Sequence, residues 1–261
     1  MRIARPAVAL ALLAAAGRAP AAGPVPLEYH LGADFALTGG AAAAGLVLAL
    51  ALRPPDACRL CGTTGLDDAR GAFLWDDPRA AGRWSDVLAY GALPAALLGG
   101  LWLSARAAGD GSAVLVDALA VAEAASVSFL LAQAVKELAA RPRPYVVAGR
   151  DLPWASDRER YLSFYSGHTA LAFSAAVAAA TVAFRRGYRS AWLIGAGGLA
   201  AAAVVGYLRI AADMHQLTDV LAGAAAGAAV GFAVPWLLHP PRSAGAPAPL
   251  SVGLGGIAFA F

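Results

Sequence analysis

The amino-acid sequence predicts an all-α bundle of about six membrane-spanning helices, on three observations. Hydrophobic residues fill 59% of the 261 positions and charged ones only 14%, where a soluble domain carries about a quarter charged. The apolar residues gather in runs near the roughly 20 residues that cross a bilayer. Alanine and glycine, 29 of the latter, crowd these runs and permit close helix packing in lipid. The net charge of +3 is scattered as single arginines, not as the basic stripe that nucleic-acid binding requires. No nucleic-acid partner is therefore expected.

Residues 1–22, MRIARPAVALALLAAAGRAPAA, join a basic start to a short apolar run and a small-residue ending, as in a secretory leader. Residues 23–239 then read as one membrane domain, and residues 240–261 as a tail. The expected spans are Ala33–Leu52, Asp86–Ser104, Ala113–Val135, His168–Phe184, Ala191–Leu208 and Leu217–Leu238. The tail's SVGLGGIAFAF alternates like one strand, and one strand makes no barrel. A loosely held tail is expected.

The connections differ in chemistry. Arg53–Ser85 is long and mixed in charge, and its LDDARGAFLW suggests a short interfacial helix. Its CRLC holds Cys58 and Cys61, with no histidine near enough in sequence for a four-ligand zinc site. They form a disulfide if the loop is exported and stay reduced if it is cytosolic. The pairs Asp67-Asp68 and Asp76-Asp77 lack a repeated spacing and read as solvated loop. Arg141–Tyr165 is also long, with prolines at 142, 144 and 153. Between the fourth and fifth spans lies RRGYRS, with Arg185, Arg186, Arg189 and no acid, a strong cytoplasmic marker. Within the spans, Glu123 is expected to hydrogen-bond between helices, and His30 and His239 to be ordinary interfacial residues. Gly223, Gly227 and Gly231 form a small-xxx-small ladder for close helix contact, a candidate seam for a homo-oligomer.

Ionisable residues at the ends of apolar helices are costly and mark functional sites. They occur here in three clusters: KELAARPRP (Lys136–Pro144), FYSGHTA around Ser166, Gly167 and His168, and GYLRIAADMHQLTD (Gly206–Asp219). The first two are joined without crossing the bilayer, and two crossings separate the second from the third. All three therefore surface on one side. Lys136, Arg143 and Arg209 suit a phosphate group, which arginine grips with two donors at once. Ser166-Gly167 opens a helix whose free N–H groups and dipole favour an anion. His215 and Asp219 stand four apart on one helical face, so the carboxylate can orient the imidazole, as suits a nucleophilic histidine. His168 supplies a second imidazole to protonate a leaving alkoxide. Asp213, four residues after Arg209, is expected to brace it.

The pattern K-x6-RP, SGH and R-x5-H-x3-D resembles the three-part motif of the type 2 phosphatidic acid phosphatase (PAP2) family, whose superfamily includes the vanadium haloperoxidases. The resemblance covers Lys136 through Asp219. It implies that Lys136, Arg143 and Arg209 bind phosphate, with Ser166 and Gly167 helping to hold it. It further implies that His215 forms a phosphohistidine, that His168 protonates the leaving group, and that Asp219 positions His215. Tyr165 stands where the family commonly has proline, and Leu208 where it commonly has serine, which would remove one hydroxyl from the phosphate pocket.

The expected function is a membrane phosphatase acting on a phosphate monoester or diphosphate of a lipid. Its partners are that phosphorylated lipid and the membrane lipids around it. With three cations placed for the phosphate, no metal or other cofactor is expected. A phosphotransferase of the same superfamily and a non-catalytic binder of anionic lipid are the alternatives, while haloperoxidases are soluble. The chain is expected to be multi-pass in the cytoplasmic membrane. The basic loop puts the site on the periplasmic or exterior side, whereas a working leader would invert every span. The unopposed arginines are the stronger signal.

Overall fold

The structure, a computed structural model, describes residues 23–242 and two short strands, Ser251–Gly253 and Gly256–Ala258, which pair antiparallel. The leader and most of the tail lie outside the described residues.

Among the described residues, six helices long and apolar enough to cross a membrane account for the spans. The first, α1, is Leu31–Leu50. A short α2 (Gly65–Asp68) and a 3-10 turn over Ala69–Phe73 follow in the expected interfacial segment. The second span starts earlier than expected. Helix α3 (Pro78–Val87) runs through a π-turn at Leu88–Ala92 into α4 (Leu93–Ala107). Pro94 has no N–H to offer the preceding turn, which accounts for the local widening. Helix α5 (Val114–Ala139) ends at Ala140 with φ 43°, just before the prolines of RPRP, which cannot continue a helix. A short α6 spans Pro144–Val147. Ser166 caps α7 (Gly167–Arg186), and Gly187 closes it in the left-handed conformation that glycine adopts without strain. Helices α8 (Ala191–Ala211) and α9 (Leu217–Leu238) complete the bundle.

Helix α7 forms the centre, packed by α5, α8 and α9. A Cβ on Gly223 would stand 2.6 Å from the Ser166 carbonyl oxygen, and at Gly227 and Gly231 it would come closer still to those of Ala170 and Ser174. The glycine ladder is thus spent inside the protomer, seating α9 on α7. It offers no outward seam to a second copy, because α7 fills it. On the other flank, α1 packs on α5, where Gly45 leaves room for the Phe129 ring.

The two faces of the bundle differ. Val25 N–H donates to the Arg186 carbonyl (3.0 Å) and Glu28 N–H to that of Pro240 (2.8 Å). Arg186 pairs with Asp117 at 2.7 Å, and Tyr188 donates to the same carboxylate. The segment before α1, the basic loop and the end of α9 therefore share one face. The opposite face carries all three charged clusters, as the crossing count requires. It also carries the Cys58–Cys61 disulfide, beside Arg59 and Leu60, whose N–H groups bond the end of α5.

Candidate active site

His215 lies between α8 and α9 and is 1% exposed. Its Nδ1 is 3.6 Å from Asp219 Oδ2, an ion-pair distance longer than a hydrogen bond. Its Nε2 faces the Arg143 guanidinium, which only donates, at 3.4 Å, so Nε2 presents a lone pair and Nδ1 of the neutral ring carries the proton. Burial and the cations of Arg143, Arg209 and Lys136 push its pKa well below the usual histidine value. The imidazole is neutral at neutral pH, the state a nucleophile needs.

Asp219 is held from several directions. It accepts from Ser163 Oγ (2.6 Å), Gln216 N–H (2.9 Å) and Arg141 Nη1 (2.5 Å). Arg141 reaches onward to Asp67 at 2.9 Å. Asp67 in turn accepts from the backbone and hydroxyl of Thr218 at 3.1 and 2.8 Å. This corrects the solvated-loop expectation for Asp67, which is 4% exposed. A loop far away in sequence is pinned beneath the nucleophile because Arg141 needs two buried counter-charges. Burial would raise the Asp67 pKa, but hydrogen bonds from Thr64, Thr218 and Arg141 override it and hold it at about 2. A depressed carboxyl stabilises the fold above its ordinary value of about 4 and loses that contribution as pH falls through about 2. Asp67→Asn should cost about 3 kcal/mol or more, since it leaves Arg141 without one of its buried partners. Thermal unfolding in detergent measures it, and a shift under one degree would show that Arg141 needs only Asp219.

The cations gather as expected, though each arginine has an acidic neighbour. Arg143 Nη1 is 3.4 Å from His215 Nε2 and donates to the Met214 carbonyl at 2.9 Å. Its Nη2 pairs with Glu159 at 3.0 Å, and the Arg143 guanidinium holds the Glu159 carboxyl at about 2. Arg209 donates to Ser85 Oγ at 3.1 Å and lies 3.8 Å from Asp86. Its Nε is buried without a hydrogen-bond partner among the described residues. Lys136 is buried and makes no salt bridge among the described residues. A Cβ on Gly167 would stand 3.2 Å from its Nζ, so this glycine lets the ammonium reach the start of α7.

At that helix start the donors differ from expectation. Ser166 N–H is spent on the Asp219 carbonyl at 3.0 Å, and its hydroxyl is engaged with Thr169. The N–H groups left for an anion are those of Gly167 and His168. His168 Nε2 lies 2.8 Å from Asp86 Oδ1, and Tyr90 packs edge-on against its ring at 4.9 Å.

Asp213 does not brace Arg209. It pairs with Arg70 and Arg150, tying both long loops together, because its backbone turns the carboxylate away from α8. Leu208 faces an apolar cluster with Ala81, Tyr145 and Met214, so the missing hydroxyl would lie outside the phosphate pocket. Tyr165 is buried against Ala132 and Ala170. Asp86, Arg141, Glu159 and Ser163 escaped the sequence reading. Only Arg141 left a signal, as the second arginine of RPRP.

Residues 116–242 match the model of the PAP2 superfamily. Among solved structures, the chain is similar to the first transmembrane PAP2 type phosphatidylglycerolphosphate phosphatase from Bacillus subtilis. That likeness is 19% identical, covers 76% of this chain and 94% of that one, and has a TM-score of 0.45. No curated protein matches. The family match contains Lys136, Arg143, Ser166, Gly167, His168, Arg209, His215 and Asp219, every residue that the sequence motifs singled out. Through residues 116–242, this chain is similar to the PAP2 superfamily.

Proposed function

We propose that the chain hydrolyses a phosphate monoester or diphosphate carried by a lipid, through a phosphohistidine on His215. The observation that carries this reading is a neutral, buried imidazole whose Nε2 faces Arg143, with a fixed carboxylate behind Nδ1. Lys136, Arg143 and Arg209 hold the phosphoryl oxygens and offset the charge that develops on them. Nε2 attacks phosphorus as the bond to the leaving oxygen breaks. His168 gives that oxygen a proton, held in place by Asp86. Water then attacks the phosphohistidine and yields its proton to His168, which releases inorganic phosphate and restores both imidazoles. Asp219 stabilises the imidazolium character that grows on His215 in the first step. The cations supply the electrostatic work that a metal performs elsewhere, so the proposed reaction is metal-independent.

Phosphate release from phosphatidate, phosphatidylglycerophosphate, undecaprenyl diphosphate and lipid A phosphates, in detergent with a strong chelator, tests the reading. Release from at least one lipid, without stimulation by Mg²⁺, is expected. Transfer to an added alcohol in place of water would make it a phosphotransferase. Binding of all four lipids with no release would make it an anionic-lipid binder.

The site is proposed to face the exterior of a cytoplasmic membrane. The basic loop lies on the face opposite the site, and the disulfide on the same face as the site suits an oxidising compartment. With Cys58 and Cys61 replaced by serine, Asp157→Cys should react with a membrane-impermeant probe on intact cells. Arg189→Cys should react only after lysis. The reverse pattern would place the phosphatase inward.

A further inference from the structure

Across the bundle from the phosphate pocket lies a second set of buried polar groups that the proposed reaction does not use. Asp34 is in the first turn of α1, Glu123 is in α5, and His239 caps the end of α9. They are 6%, 0% and 0% exposed. One donor atom from each lies within 4.8 Å of the others. His239 was expected to be an ordinary interfacial residue. It is instead among the most buried large side chains of the protein, because the segment before α1 folds across it.

The hydrogen bonds leave this cluster with an electrostatic problem. His239 Nδ1 is 3.0 Å from the Glu28 carbonyl, which only accepts, so Nδ1 carries a proton. In the neutral ring Nε2 then holds a lone pair, yet it faces Glu123 Oε2 at 2.5 Å. Two acceptors in contact need something positive between them. The other oxygen, Glu123 Oε1, is buried with no hydrogen-bond partner among the described residues. Thr38 Oγ1, one turn along α1 on the same face as Asp34, is also buried and unpartnered. Asp34 spends one oxygen on the His30 N–H and keeps the other. Even a doubly protonated ring supplies one positive charge against two carboxylates, which leaves the buried cluster one charge short.

We propose that Asp34, Glu123 and His239 form a site for one divalent transition-metal ion of the zinc type, stapling α1 to α5 and α9. Nitrogen and oxygen donors of this kind are its usual ligands, and a neutral histidine whose other nitrogen is tied to a carbonyl is its usual mode of ligation. A tetrahedral ion with bonds of about 2.0–2.2 Å keeps its donors about 3.3–3.6 Å apart. The Glu123–His239 pair therefore opens by about 1 Å on binding, and Asp34 moves in. Thr38 or a water completes the shell. This site is independent of the proposed phosphatase reaction, and its readouts are metal content and spectrum rather than turnover.

Full-length protein in detergent, stripped with chelator and titrated with Co²⁺, should take up one equivalent. It should develop the intense visible absorption of a four-coordinate ion, which Zn²⁺ then bleaches. His239→Ala and Glu123→Gln should each weaken uptake by more than the roughly 10–100-fold that loss of an outer partner costs a metal site. Glu123→Gln keeps the size and hydrogen-bonding capacity of the side chain. A folded Glu123→Gln protein whose melting temperature no longer rises with Zn²⁺ would support the site even if His239→Ala fails to fold. Absence of the visible absorption and of any Zn²⁺-dependent melting shift in the parent would overturn the proposal, leaving a proton between His239 and Glu123. Undiminished uptake by Glu123→Gln would overturn it equally.

Discussion

His215→Ala should lower phosphate release by a factor on the order of 10⁴ or more, the scale seen when a covalent nucleophile is removed. The size follows from position. His215 Nε2 is the imidazole nitrogen that faces Arg143, and its lone pair is the group that would form the bond to phosphorus. His215→Asn should be equally inactive while melting like the parent, which separates chemistry from folding. Asp219→Asn should fall between parent and His215→Ala, since the Arg141 and Ser163 contacts survive in part while the orientation of Nδ1 is lost. The parent, mixed rapidly with ³²P-labelled substrate and quenched in alkali, should carry acid-labile label that His215→Ala lacks. Because His215 titrates well below the usual histidine value, kcat/KM should not fall between about pH 7 and pH 6 once the substrate's own ionisation is removed. Turnover by His215→Ala within about tenfold of the parent would falsify the assignment.

Gly227→Leu should prevent the bundle from assembling, and Gly227→Ala should lower its melting temperature by several degrees. Any Cβ at this position runs into the Ala170 carbonyl, and neither partner is a flexible side-chain end. Overpacking commonly costs about 1–3 kcal/mol, and more where backbone must move. The damage should reach the chemistry, because α7 carries Ser166, Gly167 and His168 at its start. Surviving Gly227→Ala protein should therefore show reduced turnover at unchanged lipid binding. Gly99→Ala, which meets nothing within 4 Å, is the matching control and should behave as the parent. Equal melting of Gly227→Ala and Gly99→Ala would show that α9 rides further from α7 than the packing described above.

Much of this protein was legible as a line of residues. Apolar runs of spanning length gave six helices, and the number of crossings between them places three distant clusters on one face. That inference is strong because a bilayer reduces topology to parity, which a sequence records. The i, i+4 spacing likewise put Asp219 behind His215, since a helix repeats on that period. What the line could not record is which way a polar side chain turns once the helices meet. Asp213 left Arg209 for two loop arginines, Asp67 was buried beneath Arg141, and the glycine ladder was spent on α7. Asp86 came to His168 across 82 residues, and His239 came to Glu123 across 116. Except for the exposed Asp86, each of these is a buried charge or a close backbone approach satisfied by a partner far along the chain. Burying such a group is costly until a partner meets it, and only the packed bundle determines which partner stands within reach.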